Sequence, residues 1–443
     1  MLLRSFYFLK ELLINIERSK SVTPPFFIEL FLIAALIIVL SHLSKALQIT
    51  AFSILFFLLY IVEKDKVKVF LICLFSLVFL FYSPINLKGE VGILGKIIDK
   101  RGNNYTIFSE KVFSDRTWYS YRNYYKIYYN KYSTVPLSTG KNVYLFGEIE
   151  EGYLDVEYIA PANNKSIMKI KDNITNRLYE NIKNEEARDV LVSSFMGNLR
   201  DKEVFKETGT LHLFAVSGMH VFLIYSLITS FISILVPKRN LRLVLSTFII
   251  CSYLILTGFT PSSVRAVSML VVLNIFKLLD IPINSYNILG LIGYLNLLYV
   301  PENIFNISFL MSYAASFMIL FTSNNVKNSS LKTLLIPIAS YIGVFPLSVI
   351  YFGEISLMGL LVTPLLTPAI SLLIICGLFS ALLPWKMLHS FSTFFALSVK
   401  KFVKLFTFFE PFTFDSQFLP LFLWSLVLIF YVLILTHFRT SKS

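Results

Sequence analysis

Polar side chains cluster at the start of an apolar stretch, residues 208–221, which reads TGTLHLFAVSGMHV. The cluster contains His212, Ser217, Gly218 and His220. Ser217 and His220 are three residues apart and would share one face of a helix. This spacing is compatible with a serine nucleophile and a histidine base. A hydrolase also needs an oxyanion hole and a group that orients the base, and the sequence contains no GxSxG or HExxH motif. The pattern favours polar groups that line a path, and we assign no catalytic residue.

Polar groups in an apolar stretch are costly unless they meet other polar groups or water. In a membrane span they usually face a protein interior or a wet cavity. The alternative is a helix start capped by Thr208 or Thr210, with His212 and His220 at the level of the lipid headgroups. The spacing alone fits both interpretations.

Arg265 is a cation a few residues into another apolar stretch, just after Pro261. A cation in the middle of a membrane costs about 2.5 to 3.5 kcal/mol, so Arg265 needs a polar partner or water. Pro261 frees backbone carbonyl groups nearby, and a broken helix is tolerated where it lines a cavity. The alternative is a side chain that extends to the outer headgroups.

Aromatic and basic residues alternate in the segment FSDRTWYSYRNYYKIYYNKY, residues 113–132. Bases stack on aromatic rings while basic side chains follow phosphates, so this composition suits a platform for single-stranded nucleic acid. Five basic residues and no acid lie between positions 116 and 141, whereas five acids lie between 148 and 157. The alternative is a tyrosine-rich sheet that rests on lipid headgroups. If the segment is one strand, one face carries Trp118, Arg122, Tyr124, Lys126, Tyr128 and Tyr132.

Signals for cofactors and metals are lacking in the sequence. No GxxxxGK[ST] phosphate loop is present. Cys73, Cys251 and Cys376 each lie inside an apolar run and form no CxxC pair. We therefore expect no cofactor, no metal and no enzymatic activity.

These residues are carried by a strongly apolar chain. Of its 443 residues, 56% are hydrophobic and 15% are charged, whereas soluble domains carry about 25% charged residues. Apolar runs of about 20 residues recur, and each is long enough to cross a bilayer as a helix. The first of them, near Phe26, lacks a small-residue cleavage pattern and is expected to remain as an anchor. The composition excludes a soluble protein and predicts an α-helical polytopic membrane protein with about 11 to 12 spans.

The chain divides into four predicted regions. Residues 1–87 contain three apolar segments, and residues 88–165 contain short alternating runs with turns, which predict a small β domain. Residues 166–208 predict polar linker helices, and residues 209–443 predict a dense membrane block. Within that block, residues 387–409 fit either a span or an amphipathic interfacial helix.

Basic loops set the predicted orientation, and the net charge of +13 is in keeping with them. The loops Lys64–Lys68 and Lys238–Arg242 are expected inside the cell because short basic loops stay cytoplasmic. The N-terminus then lies inside, and the β domain lies outside.

The second apolar block resembles the competence domain of ComEC-type DNA-internalisation proteins, the bacterial inner-membrane channel family for transforming DNA. Four stretches carry the resemblance, in the family's order. The sequence departs from the family pattern at Asn198, Asn306 and Thr363. The matching residues are Gly197, Thr208, Gly209, His212, Ala215 to Gly218, His220 and Val221; Pro261, Ser262, Arg265 and Ala266; Phe305 to Phe309; and Pro346, Phe352, Gly353, Ser356, Leu357 and Gly359.

The resemblance implies a multi-pass protein of the bacterial inner membrane that passes single-stranded DNA inward. An OB-like β domain outside would receive the DNA through Trp118, Arg122, Tyr124, Lys126 and Tyr128. The implied partners are single-stranded DNA, membrane lipids, an extracytoplasmic DNA receptor and a cytoplasmic ATPase or helicase. The path through the membrane block would be lined by His212, Ser217, Gly218, His220, Arg265, Asn306 and Ser308.

Two further expectations accompany the resemblance. Many family members carry a C-terminal metallo-β-lactamase-like domain, but this sequence ends six residues after His437 without its HxHxDH ligands, so we expect no nuclease activity of this chain. The competing hypothesis is a membrane enzyme or lipid-linked glycan transporter in which Ser217, His220 and Arg265 bind a headgroup.

Overall fold

Helices make up most of the described chain, and strands are concentrated in one N-terminal region. The computed structural model describes residues 25–63, 65–84, 87, 89–101, 104–114, 117–128, 142–150, 153–162, 169–196, 203–210, 214, 218–257, 259, 261–282, 284–326, 328–356, 358–407 and 412–413.

Three apolar helices open the described chain, as the sequence predicts. They are α1 (Phe26–Leu43), α2 (Lys45–Val62) and α3 (Lys66–Ser76), and α3 continues as a 3-10 turn, Leu77–Phe81. Ser44 and Asp65 cap α2 and α3, because each side chain accepts a backbone N–H three residues later.

A buried ion cluster joins the same three helices near the connection between α2 and α3. The Lys68 ammonium lies 2.8 Å from the Glu29 carboxylate and 3.4 Å from that of Glu63. All three side chains are less than a tenth exposed, so the pairing compensates charges that would otherwise be buried alone.

The described residues of the β domain, within 89–162, form six strands. Five of them close into a ring in the order β1-β5-β6-β4-β2, with β2 returning to β1. The pair β4–β6 is parallel, and the other ring pairs are antiparallel. Alternate apolar residues such as Ile93, Ile107 and Leu145 fill the interior. The strands are β1 (Gly89–Arg101), β2 (Asn104–Ser114), β3 (Thr117–Tyr119), β4 (Tyr124–Tyr128), β5 (Asn142–Glu150) and β6 (Tyr153–Ala162).

The aromatic segment of the β domain is divided between two strands. Trp118 lies on β3, Arg122 lies in the connection, and β4 begins at Tyr124. The break follows from local hydrogen bonding, because the Ser109 hydroxyl donates to the Tyr121 carbonyl at 2.8 Å while the Tyr121 ring turns into the protein. The expectation of one continuous strand is therefore corrected, and position 132 lies outside the described residues.

One core joins the predicted linker helices to much of the helical block, from residues 178–192 to residues 362–403, while residues 286–313 pack with the N-terminal helices. Asn181 donates to the Ser380 carbonyl at 3.1 Å, and Lys400 lies 3.3 Å from Glu186. The block contains α4 (Lys169–Asn181), α5 (Glu185–Met196), α6 (Glu203–Glu207), α7 (Gly218–Leu235), α8 (Arg239–Thr257), α9 (Pro261–Leu278), α10 (Ser285–Tyr299), a 3-10 turn (Pro301–Phe305), α11 (Ile307–Asn325), α12 (Ser329–Phe352), β7 (Glu354–Ile355), α13 (Met358–Leu382), α14 (Lys386–Lys404) and β8 (Phe412–Thr413).

Helix α14 is amphipathic, which was one of the two interpretations of residues 387–409. Its buried residues Ser392, Ala396, Val399 and Val403 follow helical spacing along one face. The pair β7–β8 is a short antiparallel ladder beyond the end of α12.

Five described helices are long and apolar enough to cross a membrane, which supports the class of membrane protein. Two shorter apolar helices cover Lys45–Ile61 and His220–Leu235. The larger number of spans expected from the sequence remains a prediction. The five long helices are Phe26–Leu43, Arg239–Thr257, Ile307–Asn325, Ser329–Tyr351 and Leu361–Leu382.

The orientation gives a first testable prediction. In a chain whose three cysteines are replaced by serine, we expect Tyr158→Cys to react with an impermeant maleimide in intact cells, and Asp280→Cys to react only after lysis. Both positions are well exposed, at 63% for Tyr158 and 77% for the Asp280 side chain, so the difference reports the side of the membrane. The reverse labelling pattern would contradict the orientation.

Candidate functional site

The β domain meets the helical block around Glu302, in the 3-10 turn after α10. The Glu302 carboxylate is 8% exposed and accepts hydrogen bonds from the hydroxyls of Tyr82 and Tyr121, the latter at 2.6 Å. The His42 ring at the end of α1 lies 3.4 Å from the same oxygen. Glu302 thus connects three parts of the chain. These are helix α1, the segment around Tyr82 that leads into the β domain, and the β domain itself. We call these four residues the junction.

A second contact lies beside the junction, around Tyr299 at the end of α10. The Arg122 guanidinium lies 4.2 Å from the centroid of the Tyr299 ring, and the Phe108 ring stacks on Tyr299 at 6.4 Å. Tyr124 packs on Phe108 at 5.1 Å, and burial together with nearby Tyr299 raises the pKa of Tyr124 to about 12. Arg122 and Tyr124 therefore face the helical block, whereas Trp118 is half exposed.

The junction depends on neutral phenols. Burial, assisted by the Glu302 carboxylate, raises the pKa of Tyr82 and Tyr121 above the ordinary value of 10.0. A raised pKa favours the protonated form in the folded protein, so both hydroxyls donate below pH 10 and this stabilisation is lost only as the pH rises through the raised values.

We expect Glu302→Ala to loosen the β domain. The change leaves two buried hydroxyls without their acceptor, which costs about 1 to 3 kcal/mol. Trypsin cleavage after Arg122, an exposed site in the connection between β3 and β4, should then accelerate about tenfold in the purified protein. Glu302→Gln should have a smaller effect because its amide oxygen still accepts, and exposed Glu148→Ala is the matched control. Equal cleavage of Glu302→Ala and Glu148→Ala would contradict a role of Glu302 in holding the β domain.

Arg265 lies inside the helical block, with 6% of its surface exposed. Its Nε donates to the Ser312 hydroxyl on α11 at 2.7 Å, and its Nη1 lies 3.5 Å from the Met269 sulfur. The ring of Tyr313 is 5.8 Å from the guanidinium. The side chain is directed into the protein, so the structure does not show the extension to the headgroups that the sequence left open.

Gly218, the first residue of α7, lies directly against the guanidinium. A Cβ atom at Gly218 would be 3.3 Å from Arg265 Nη2. His220, two residues later, is fully buried, and its ring hydrogen-bonds the backbone of Ser194 on α5. Two helical residues differ by about 200° in direction, so the structure brings Gly218 but not His220 to Arg265.

Asn306 and Ser308 lie at the start of α11. The Asn306 side chain accepts the Ser308 backbone N–H at 3.0 Å, which caps the helix, and Ser308 is exposed. His212 and Ser217 lie outside the described residues, as do the side chains of Lys126 and Tyr128.

Motif glycines meet on another side of the block. A Cβ atom at Gly209, which has a φ of +66°, would be 3.0 Å from the Ser356 Cβ and 3.3 Å from the Gly359 Cα. Two stretches almost 150 residues apart in sequence therefore pack backbone to backbone. The glycines in these motifs allow this close approach and carry no chemical group.

Sequence reasoning missed Ser312, Tyr299 and Glu302. Ser312 follows Ser308 by one helical turn, so the spacing of polar residues in α11 was an available signal. Glu302 lies between two apolar runs of the sequence, and nothing local distinguishes it from a solvent-exposed acid. Among the described residues, no group of three or more His, Cys, Asp or Glu could hold a metal ion.

The structure defines a polytopic membrane protein with an attached β domain. It has apolar helices of spanning length, the closed ring of strands contacts one end of them, and a buried arginine lies in the helical block near that end. The model of the Competence protein family matches residues 198–442, more than half of the chain, and the chain belongs to this family. No curated protein and no solved structure matches the chain significantly.

Proposed function

We propose that the protein is a membrane channel that passes single-stranded DNA inward during natural transformation, with the β domain receiving the strand outside. The observation that carries this proposal is the match to the Competence family over residues 198–442. The proposed role is transport without catalysis, at the bacterial inner membrane.

The β domain supports the receiving role through its topology. Five strands that close into a ring are what an OB-like barrel requires, and such barrels bind oligonucleotides on the face of their second and third strands. In this ring those strands are β2 and β4, which pair from Asn104↔Tyr128 to Phe108↔Tyr124. Tyr124, Lys126 and Tyr128 occupy alternate positions of β4, and the intervening Tyr125 and Ile127 are buried in the barrel.

The part of this face nearest Tyr299 is occupied by the helical block. The open remainder of the face lies on both sides of this contact, at positions 126 and 128 and at exposed Trp118, and these two parts are the proposed binding surface. The proposed strand of DNA leaves the β domain next to the end of the helical block, where Arg265 lies.

Transport of a polyanion into the cell needs an energy source. The entry of each phosphate into an inside-negative cell is opposed by about 2.3 kcal/mol per 100 mV. We propose that a cytoplasmic ATPase or helicase pulls the strand and that an extracytoplasmic receptor delivers it.

A clean deletion tests this function. We expect the deletion strain to lose uptake of labelled DNA into the cytoplasm while its lipid and glycan composition stays unchanged, and plasmid-borne wild type to restore uptake. Normal uptake together with an altered envelope would favour the competing enzyme or lipid-linked transporter.

Trp118 gives a sharper test of the receiving surface. Because stacking on an aromatic ring contributes about 1 to 3 kcal/mol per base, Trp118→Ala should weaken binding of a dT oligonucleotide by about fivefold or more in a titration of the full-length protein in nanodiscs. Tyr158→Ala is the matched control, since Tyr158 is also exposed but lies on β6 beside Glu157. Equal affinities of the two variants would favour the sheet that rests on headgroups.

A further inference from the structure

Arg265 is a buried cation without a carboxylate partner in the described part of the chain. Its neighbours there are the Ser312 hydroxyl, the Met269 sulfur and the Tyr313 ring, all neutral. The undescribed positions next to this site in sequence, 211–213, 215–217, 258 and 260, contain no Asp or Glu. A buried charge left uncompensated is strongly destabilising, so this arrangement favours the binding of an anion at Arg265.

The geometry fixes which part of the guanidinium an anion meets. Ser312 holds Nε and Met269 lies at Nη1, which leaves the Nη2 group directed at the start of α7. Because Gly218 has no side chain, α7 begins in close contact with Nη2. The N-terminal end of α7 lies beside it, and the positive end of the helix dipole favours the same anion.

The site lies close to the β domain. Helices α9 and α10 are joined by a short connection and run in opposite directions, so α9 begins at the end of the block where α10 finishes. Tyr313, beside Arg265, receives a hydrogen bond at 3.3 Å from Asn296, one turn before Tyr299. Tyr299 in turn contacts Arg122 of the β domain.

We propose that Arg265, positioned by Ser312 beside the start of α7, binds a phosphodiester at the end of the helical block that carries the β domain. The ligand is a monoanion, which matches the single uncompensated charge, and guanidinium is suited to it because its planar donors contact two oxygens at once. The assignment of this phosphodiester to DNA rests on the proposed function. A phospholipid headgroup offers the same group, and the test separates the two.

The experiment measures the affinity of full-length protein in phosphatidylcholine nanodiscs for a dT oligonucleotide at several salt concentrations. Loss of one phosphate contact reduces the slope of log affinity against log salt by about 0.7 for single strands. Arg265→Leu should bind the oligonucleotide more weakly and show this smaller slope. The ratio of wild-type affinity to Arg265→Leu affinity should therefore fall about threefold between 50 mM and 200 mM salt. Arg239→Leu is the matched control, because Arg239 is exposed and lies at the opposite end of the block beside Asp280.

Three further variants separate charge from position. Arg265→Lys and Ser312→Ala should bind more weakly than wild type but keep its salt slope, because the charge remains while its orientation is lost. Gly218→Ala should behave like Ser312→Ala, since a methyl group there would lie 3.3 Å from Nη2 and displace the guanidinium. An oligonucleotide with a neutral methylphosphonate backbone should bind wild type and Arg265→Leu equally.

The outcomes distinguish the two sources of the phosphodiester and the two proposals. In the first outcome, wild type binds DNA and Arg265→Leu shows the same affinity and salt slope. Native mass spectrometry then shows whether the variant has lost phosphatidylglycerol that wild type retains. That loss supports the site and assigns it to lipid. Absence of DNA binding by wild type, with retained lipid selectivity at Arg265, overturns the proposed function and leaves the site standing. Unchanged DNA and lipid binding in Arg265→Leu overturns the site alone.

Discussion

Cells that carry Arg265→Leu are expected to take up DNA about thirtyfold more slowly per copy of the protein in the membrane. Removing one partner of a buried charge contact costs about 2 to 5 kcal/mol, and about 2 kcal/mol already corresponds to this factor. Arg265→Lys should restore uptake in part, because a point charge still attracts phosphate although the planar fork is lost. The measurement is uptake of labelled DNA divided by the amount of folded protein in the membrane.

The normalisation separates function from folding. If Arg265 acted only in packing, Arg265→Leu would lower abundance and uptake in step, and uptake per copy would stay normal. Leucine removes an uncompensated charge, so we expect the folded protein to be at least as abundant as wild type. Normal uptake per copy would remove Arg265 from the proposed path. Arg239→Leu serves again as the control and should transport normally.

Gly290→Ala is expected to destabilise the fold by about 3 kcal/mol or more. A Cβ atom at Gly290 of α10 would lie 2.3 Å from the backbone of Phe27 and Ile28 in α1, and overpacking of this kind costs about 1 to 3 kcal/mol even where side chains can yield. Backbone atoms of a helix cannot yield without displacing α1. The same pair of helices is fixed by Asn287, whose side chain accepts the Phe27 N–H at 3.0 Å.

Thermal unfolding of the purified protein measures this effect. Gly353→Asn is the matched control: Gly353 has a φ of +66° at the end of α12, and a Cβ atom there would meet nothing within 4 Å. Asparagine tolerates this conformation, so the control should unfold close to wild type. A wild-type unfolding temperature for Gly290→Ala would contradict the described contact of α1 with α10.

The β domain shows how far local pattern reaches. The alternation of apolar residues in β1 and β5 predicts strands with one buried face, because successive side chains of a strand face opposite sides. The same rule failed across residues 117–128, where Tyr121 leaves the strand pattern to donate to Glu302, about 180 residues away. A bond to a distant carboxylate has no local signature, so alternation alone predicted one strand where the structure has two.

Residue type and order are enough to predict the membrane class, the position of the β domain between two apolar regions and the identity of Arg265 as an exceptional residue. Each of these predictions follows from composition or from the free-energy cost of placing one residue type in an apolar run. Neither depends on which helices pack together. The packing of the helices was needed to show that Gly218 lies against Arg265, that His220 faces α5 and that Ser312 orients the guanidinium. Those assignments depend on which helices are neighbours and on their rotation about their own axes, and apolar helices that look alike in sequence leave both undetermined.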